Sequence, residues 1–315
     1  MSVSGQFAVV FPGQGSQAVG MMASFADSAV VRNTFAEASE ALGQDLWALV
    51  ADGPVEALSQ TVNTQPVMLT AGVAVWRSWR AQGGALPSLL AGHSLGEYAA
   101  LVAAGVLDFS DAVRLVRFRA QAMQEAVPAG EGGMAAILSL APELVAQACA
   151  EAAQGQVVGA ANLNSPVQIV IAGHAAAVER AMEACKALGA KRAVPLPVSA
   201  PFHSALMKPA ADRLAERLAS IEFSAPTIPV LNNVDVKTET DPAAIRDALV
   251  RQAYSPVRWI ETVEAVTASG AVGVLEFGPG KVLAGLVKRI NPELAVEAVA
   301  DADALVRVLA QYQQV

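Results

Sequence analysis

Gly92-His93-Ser94-Leu95-Gly96-Glu97 lies between an apolar run at residues 86–91 and a second, helix-like run at 97–104. That order puts Ser94 where a buried strand turns sharply into a helix, the arrangement of a nucleophile elbow. The flanking glycines permit the tight turn that lifts a serine hydroxyl clear of the sheet edge, and the helix N-terminus behind it favours negative charge. Ser94 is thereby placed to attack a carbonyl. The backbone N–H of Leu95 would face the oxyanion that forms, as one donor of an oxyanion hole. Gly-X-Ser-X-Gly also arises by chance in a chain rich in glycine and alanine, and it is the strand-turn-helix context that favours function.

Toward the N-terminus, Phe7-Ala8-Val9-Val10-Phe11 reads as a strand, ended by the loop Pro12-Gly13-Gln14-Gly15-Ser16-Gln17. With Ala18 the loop satisfies a loose dinucleotide-binding pattern. Pro12 is out of place at such a turn, however, and residues 31–42 read as helix where a second strand should end in a ribose-binding acid. A loop after the first strand of an α/β sheet is better suited to give a second oxyanion donor, here the backbone of Gln14. Helical patterns at residues 30–50 and 65–82 read as scaffold, the latter with Thr64 and Pro66 as start and Gly83-Gly84 as stop.

A helix is predicted from Ser110-Asp111 to about residue 126, with Ala112, Leu115, Val116, Arg119, Ala122, Met123 and Ala126 on one face. Arg119 interrupts that apolar stripe. A buried arginine costs several kcal/mol unless an anion meets it. Two readings remain open: Arg119 snorkels out or pairs with a structural carboxylate, or it grips a substrate carboxylate by two parallel hydrogen bonds.

Between residues 134 and 198 the pattern becomes strand, helix, strand, strand, helix, strand, the βαββαβ order of a ferredoxin-like unit. This predicts an α/β protein with a small lobe at 133–198 inserted into a large one made of 1–132 and 199–315. The chain re-enters the large lobe through Ser199-Ala200-Pro201-Phe202-His203-Ser204. A helix at 206–220, a strand at 226–231, a helix at 242–252, a strand at 272–277 and a helix at 281–290 follow. Gly280-Lys281 is no phosphate loop, because Val282 replaces its Ser or Thr.

With 315 residues, 54% of them hydrophobic, the chain can bury a large core, yet no apolar stretch reaches the roughly 20 residues of a membrane span. The N-terminus lacks a secretory pattern, and two cysteines, Cys149 and Cys185, suit a reducing compartment. A soluble, cytoplasmic protein is expected. Net charge −8 and the lack of a basic stripe argue against nucleic acid. Lys186, Lys191, Arg192, Lys208, Arg213 and Arg217 nevertheless cluster mid-chain, either as a docking face for an acidic partner or as scattered solvated side chains.

A nucleophilic serine needs a base, and the chain has three histidines. His93 precedes the nucleophile and points away from it, toward packing or hydrogen bonding. His174 falls at a strand-to-helix junction and reads as a loop or capping residue. Elimination favours His203 as general base. A long stretch of chain still follows it, so the usual order of serine, acid and a near-terminal histidine fits poorly, and a dyad oriented by a backbone or amide oxygen is the alternative.

The stretches Phe11-Pro12-Gly13-Gln14-Gly15-Ser16-Gln17, Gly92 to Glu97, Arg119, Ser199 to Ser204 and Glu276-Phe277-Gly278-Pro279-Gly280 together resemble the malonyl-CoA:acyl-carrier-protein transacylases. The resemblance covers essentially the whole chain. It implies an α/β-hydrolase-like large lobe and transfer of malonyl from coenzyme A to the phosphopantetheine thiol of a carrier protein in fatty-acid synthesis. It further implies Ser94 as acyl carrier, His203 as base, Arg119 on the malonyl carboxylate, and Gln14 and Leu95 as oxyanion donors. The backbone carbonyl of Gln252 would orient the histidine, and Phe202 resembles malonyl-selective acyltransferases of polyketide synthesis, although packing explains it equally well. No metal or bound cofactor is implied, coenzyme A thioester being the substrate; malonyl-CoA and acyl carrier protein are the expected partners of a monomer. A carrier of polyketide synthesis, a serine thioesterase or esterase, and a non-catalytic carrier-binding module are the competing readings.

Overall fold

The computed structural model describes residues 6–198 and 200–312. Ser199, where the sequence reading returns the chain to the large lobe, lies outside them. The strands are β1 (Phe7–Phe11), β2 (Leu89–Gly92), β3 (Gly132–Leu138), β4 (Val158–Ser165), β5 (Gln168–His174), β6 (Arg192–Pro195), β7 (Val230–Leu231), β8 (Gly273–Phe277) and β9 (Ala295–Val299). They form a five-stranded sheet ordered β7-β2-β1-β8-β9 and a four-stranded one ordered β4-β5-β3-β6. All pairings in the first are parallel and all in the second antiparallel.

β1, β2 and β8 are buried along their whole length. That is why they read as unbroken apolar runs: helices cover both faces of a parallel sheet. One face carries a core that includes Phe7, Phe11, Phe35, Trp79 and Phe277, and the other packs Val10, Ala91, Trp259 and Leu286. The second sheet takes the helices Pro142–Ala153 and Ala175–Ala187 on one face, giving the expected ferredoxin-like order. Its other face turns Met134, Val170 and Ala172 toward Met123 and Phe202 of the larger unit. β4 is tied there by backbone: Leu163 N–H donates to Val257 O at 2.9 Å and Val257 N–H to Ala161 O at 2.9 Å.

Several local expectations are corrected. The helical pattern of residues 30–50 is two helices, Ala29–Leu42 and Leu46–Asp52, because Gly43 ends the first in the left-handed region and Asp45 caps the second. After a short helix, Val55–Leu58, a long one, Thr61–Ala81, holds Pro66 inside it, so the missing N–H falls within the helix and not at its start. Only Val230–Leu231 of the predicted 226–231 strand pairs. The helices Trp259–Ala268 and Ala302–Tyr312 and edge strand β9 are additional to the sequence reading.

The elbow is where backbone packing is tightest. A Cβ on Gly92 would lie 1.9 Å from the Gly96 carbonyl carbon, and one on Gly96 would lie 2.0 Å from Phe11 O. Gly285, in the helix Val282–Ile290, has open space around it. Gly92→Ala should therefore destabilise by about 1–3 kcal/mol or more, whereas Gly285→Ala should stabilise by about 1 kcal/mol. Thermal unfolding of the two variants checks this; similar midpoints would show that the elbow backbone can yield.

Candidate active site

β2 runs into the elbow, and Ser94 takes φ 52°, a left-handed conformation uncommon for serine. Its Oγ stands 2.6 Å from His203 Nε2. His203, in the loop before the helix Lys208–Ala219, is also left-handed, at φ 59°. Its Nδ1 lies 2.8 Å from the backbone oxygen of Gln252, in the last turn of the helix Pro242–Tyr254. A carbonyl only accepts, so Nδ1 carries the proton and Nε2 is left to accept from the serine hydroxyl. That is the tautomer a general base needs.

The strained serine is held from both sides. Ser94 N–H donates to Asn233 Oδ1 at 2.7 Å, and Gln252 Nε2 donates to Ser94 O at 3.0 Å. Asn233 Nδ2 reaches back to Gly92 O at 2.7 Å. Behind them the buried Glu97 carboxylate accepts from Asn233 N–H and Gln252 Nε2, both at 2.9 Å. Burial pushes the Glu97 carboxyl up to about 7, against the hydrogen bonds from Gln252 and Asn233 and the charge of Arg119, which favour its ionised form.

Arg119 is 2% exposed. Its Nη1 donates to Gln65 Oε1 at 2.9 Å, and its Nη2 to Gln252 Oε1 at 3.0 Å and Ser94 Oγ at 3.2 Å. Tyr98 presents its ring 5.3 Å from the guanidinium carbon. Among the described residues no carboxylate makes an ion pair with it, and its buried Nε finds no acceptor. Arg119 therefore neither snorkels out nor pairs with a structural carboxylate. Burial, and next the positive charge of Arg119, hold the His203 imidazole down to about 3, so it is neutral and proton-accepting at physiological pH.

These groups open onto a cleft of about 330 Å³. Gln14, Leu95, Arg119 and His203 line it from the larger unit, and Met134, Asn162 and Leu196 from the smaller. The Gln14 side chain is drawn off to Thr61 Oγ1 at 3.2 Å, and among the described residues neither the Gln14 nor the Leu95 backbone N–H is taken by another group. The loop bearing Gln14 fits against the elbow only because residue 13 is glycine: a Cβ there would sit 2.6 Å from His93 O. Phe202 lines the cleft while packing against buried neighbours that include Met123 and Met207.

His93 turns to β4, where Nε2 meets Asn164 Oδ1 at 2.8 Å. His174 occupies the N-cap position of the helix Ala175–Ala187, yet its Nδ1 accepts from Val157 N–H at 3.0 Å instead of capping. Sequence reading missed Gln65, Asn233, Glu97 and the side chain of Gln252. The Glu97 position within the elbow was its one available signal.

The sequence profile of acyl transferase domains matches residues 8–305. The chain belongs to that family. A malonyl CoA-acyl carrier protein transacylase of Salmonella typhimurium is 62% identical over 307 residues, covering 97% of this chain and 99% of that protein. An acyl carrier protein S-malonyltransferase of Vibrio cholerae superposes with TM-score 0.95 at 62% identity, over 96% of this chain and 99% of that one. A malonyl-transacylase solved in complex with its type II PKS acyl-carrier protein gives TM-score 0.96 at 59% identity, over 97% and 99%.

For an acyltransferase of this family, the depressed basicity of His203 predicts its pH response. The ring resonances of His203 should show no titration between about pH 5 and 8, whereas an ordinary imidazole turns over at about 6.5; the labelling rate of Ser94 would also report the Glu97 carboxyl, at about 7. An inflection at about pH 6.5 in the His203 ring resonances would mean that the imidazole is not shielded.

Proposed function

We propose that the chain transfers a malonyl group from malonyl-CoA to the phosphopantetheine thiol of an acyl carrier protein, through an acyl-enzyme on Ser94. The observation that carries this reading is Arg119, a buried guanidinium with neutral partners, set 3.2 Å from the nucleophile. A malonyl carboxylate lies one methylene beyond the carbonyl that Ser94 attacks, so a fork this close to Oγ suits a three-carbon acid. His203 takes the serine proton and returns it to the leaving sulfur, Gln14 and Leu95 N–H groups meet the oxyanion, and Gln252 O fixes the imidazole. Phe202 closes the apolar side of the acyl pocket.

The reading includes a monomeric, cytoplasmic enzyme that needs no bound cofactor, built as two lobes, with the small one at 133–198. The relatives' names favour fatty-acid synthesis, and a carrier of polyketide synthesis is the second reading, favoured by the complex described above. A panel of both carrier types as acceptors separates them. A thioesterase is separated by the same assay, since it would release malonate to water faster than to thiol.

Ser94→Ala should abolish covalent malonyl labelling, because no neighbouring group replaces the carrier oxygen. Arg119→Ala should lower kcat/KM for malonyl-CoA by about two orders of magnitude or more, the cost of an unpaired buried charge, while acetyl-CoA turnover holds or rises. Equal losses on both substrates would make Arg119 structural.

The basic cluster divides on inspection. Lys186, Lys208 and Arg213 are paired with Glu183, Asp212 and Glu125. Lys191, Arg192 and Arg217 are exposed and among the described residues have no ion-pair partner; Lys191 and Arg192 stand at the start of β6, a few residues before Leu196 in the cleft wall, whereas Arg217 lies in the last turn of the helix Lys208–Ala219. We place the acidic carrier on Lys191 and Arg192. Reversing both charges should raise the carrier KM and flatten its salt dependence, with free pantetheine as acceptor unaffected. An unchanged carrier KM would move the docking face elsewhere.

A further inference from the structure

One guanidinium nitrogen has two duties beside the nucleophile. Arg119 Nη2 donates to Ser94 Oγ at 3.2 Å, while Oγ stands 2.6 Å from the base that is to take its proton. A donor aimed at Oγ draws on the lone pair that must attack, and a cation facing His203 opposes the imidazolium that forms. The other contacts of Arg119, to Gln65 Oε1 and Gln252 Oε1, are neutral, and its Nε is buried without an acceptor among the described residues. A carboxylate arriving here brings the full opposite charge that the hydroxyl lacks and can accept two guanidinium N–H bonds in parallel. It displaces Oγ.

We propose that the substrate's carboxylate switches the nucleophile on: by pairing with Arg119 it takes Nη2 off Ser94 Oγ and cancels the positive charge facing His203. This rests on Arg119 being the carboxylate site and adds a kinetic consequence to it. As Oγ bonds to the thioester carbon, its proton passes to His203 Nε2. When the tetrahedral adduct collapses, the carbon–sulfur bond breaks and the proton moves from Nε2 to the departing sulfur of coenzyme A. A substrate without the carboxylate enters that sequence with Arg119 still on Oγ. Selectivity then lies in the acylation step as well as in binding. Gln252 keeps the two halves in register, its Oε1 on the guanidinium and its backbone oxygen on the imidazole.

The test is Ser94 acylation at saturating malonyl-CoA against saturating malonamyl-CoA, in which a neutral carboxamide of the same shape replaces the carboxylate, followed by rapid quench and intact mass. It needs no variant. The rate constant at saturation, and not only the concentration needed to reach it, should fall about tenfold or more with the amide, the effect of roughly one pKa unit on the base. In addition, sodium formate should accelerate Ser94 acetylation from acetyl-CoA relative to sodium chloride in the wild type and not in Arg119→Ala. Equal saturating rate constants for acid and amide overturn the switch and leave Arg119 an anchor; formate that leaves acetylation flat also counts against it. An unchanged malonyl-to-acetyl preference in Arg119→Ala removes the anchor itself, so the two failures are distinct.

Discussion

A guanidinium buried to 2% exposure, whose hydrogen-bond acceptors among the described residues are two amide oxygens and a hydroxyl, with the Tyr98 ring alongside, is the constraint on which this site depends. Such a charge costs several kcal/mol when unpaired. The fold keeps a carboxylate near it without letting the two touch: Arg119 donates to Gln252 Oε1, and Gln252 Nε2 donates to Glu97. The amide sits between the charges, its oxygen toward the cation and its nitrogen toward the anion. The guanidinium therefore has a remote counter-charge and, at Nε, a donor without an acceptor among the described residues, so a ligand's carboxylate gains more there than it would beside a directly bridged arginine.

The same residue links charge to strain. Ser94 and His203 both hold left-handed backbones, each at about 1–3 kcal/mol. Gln252 fixes one through its side chain and the other through its carbonyl, while Asn233 ties the serine amide to the end of β2. Positive φ alone does not mark the site, since Ser139, Gln154 and Val236 share it. What distinguishes the pair is that hydrogen bonds from distant parts of the chain over-determine it.

Legibility in the sequence follows the range of the interaction. The elbow could be read because glycine spacing and flanking apolar runs are local, and the ferredoxin-like unit because its strand and helix periods alternate within one segment. Arg119 stood out because one charge interrupted a helical stripe. Asn233 and Gln252 could not be found in this way: they meet the elbow from 139 and 158 residues away, and no period connects such positions. Residues 302–312 are different, since Ala304, Leu305, Val308, Leu309 and Tyr312 repeat at helical spacing and the signal was present. β9 carries little signal of its own, being an edge strand that forms where β8 offers it a parallel partner.

The weak basicity of His203 also suits a reaction that must run in both directions. In the proposed mechanism an imidazole held well below its ordinary value, first by burial, stays neutral when the serine has to be deprotonated, and burial persists when a carboxylate offsets Arg119. The imidazolium it becomes is correspondingly acidic, so its proton moves readily to a sulfur whose own affinity for it is far higher, near that of an ordinary thiol at about 8.5. A triad acid touching Nδ1 would raise the imidazole's affinity for that proton. Here a carbonyl of Gln252 orients the ring without adding a charge. The arrangement fits exchange between two thiols of similar basicity, in which neither direction has to be driven.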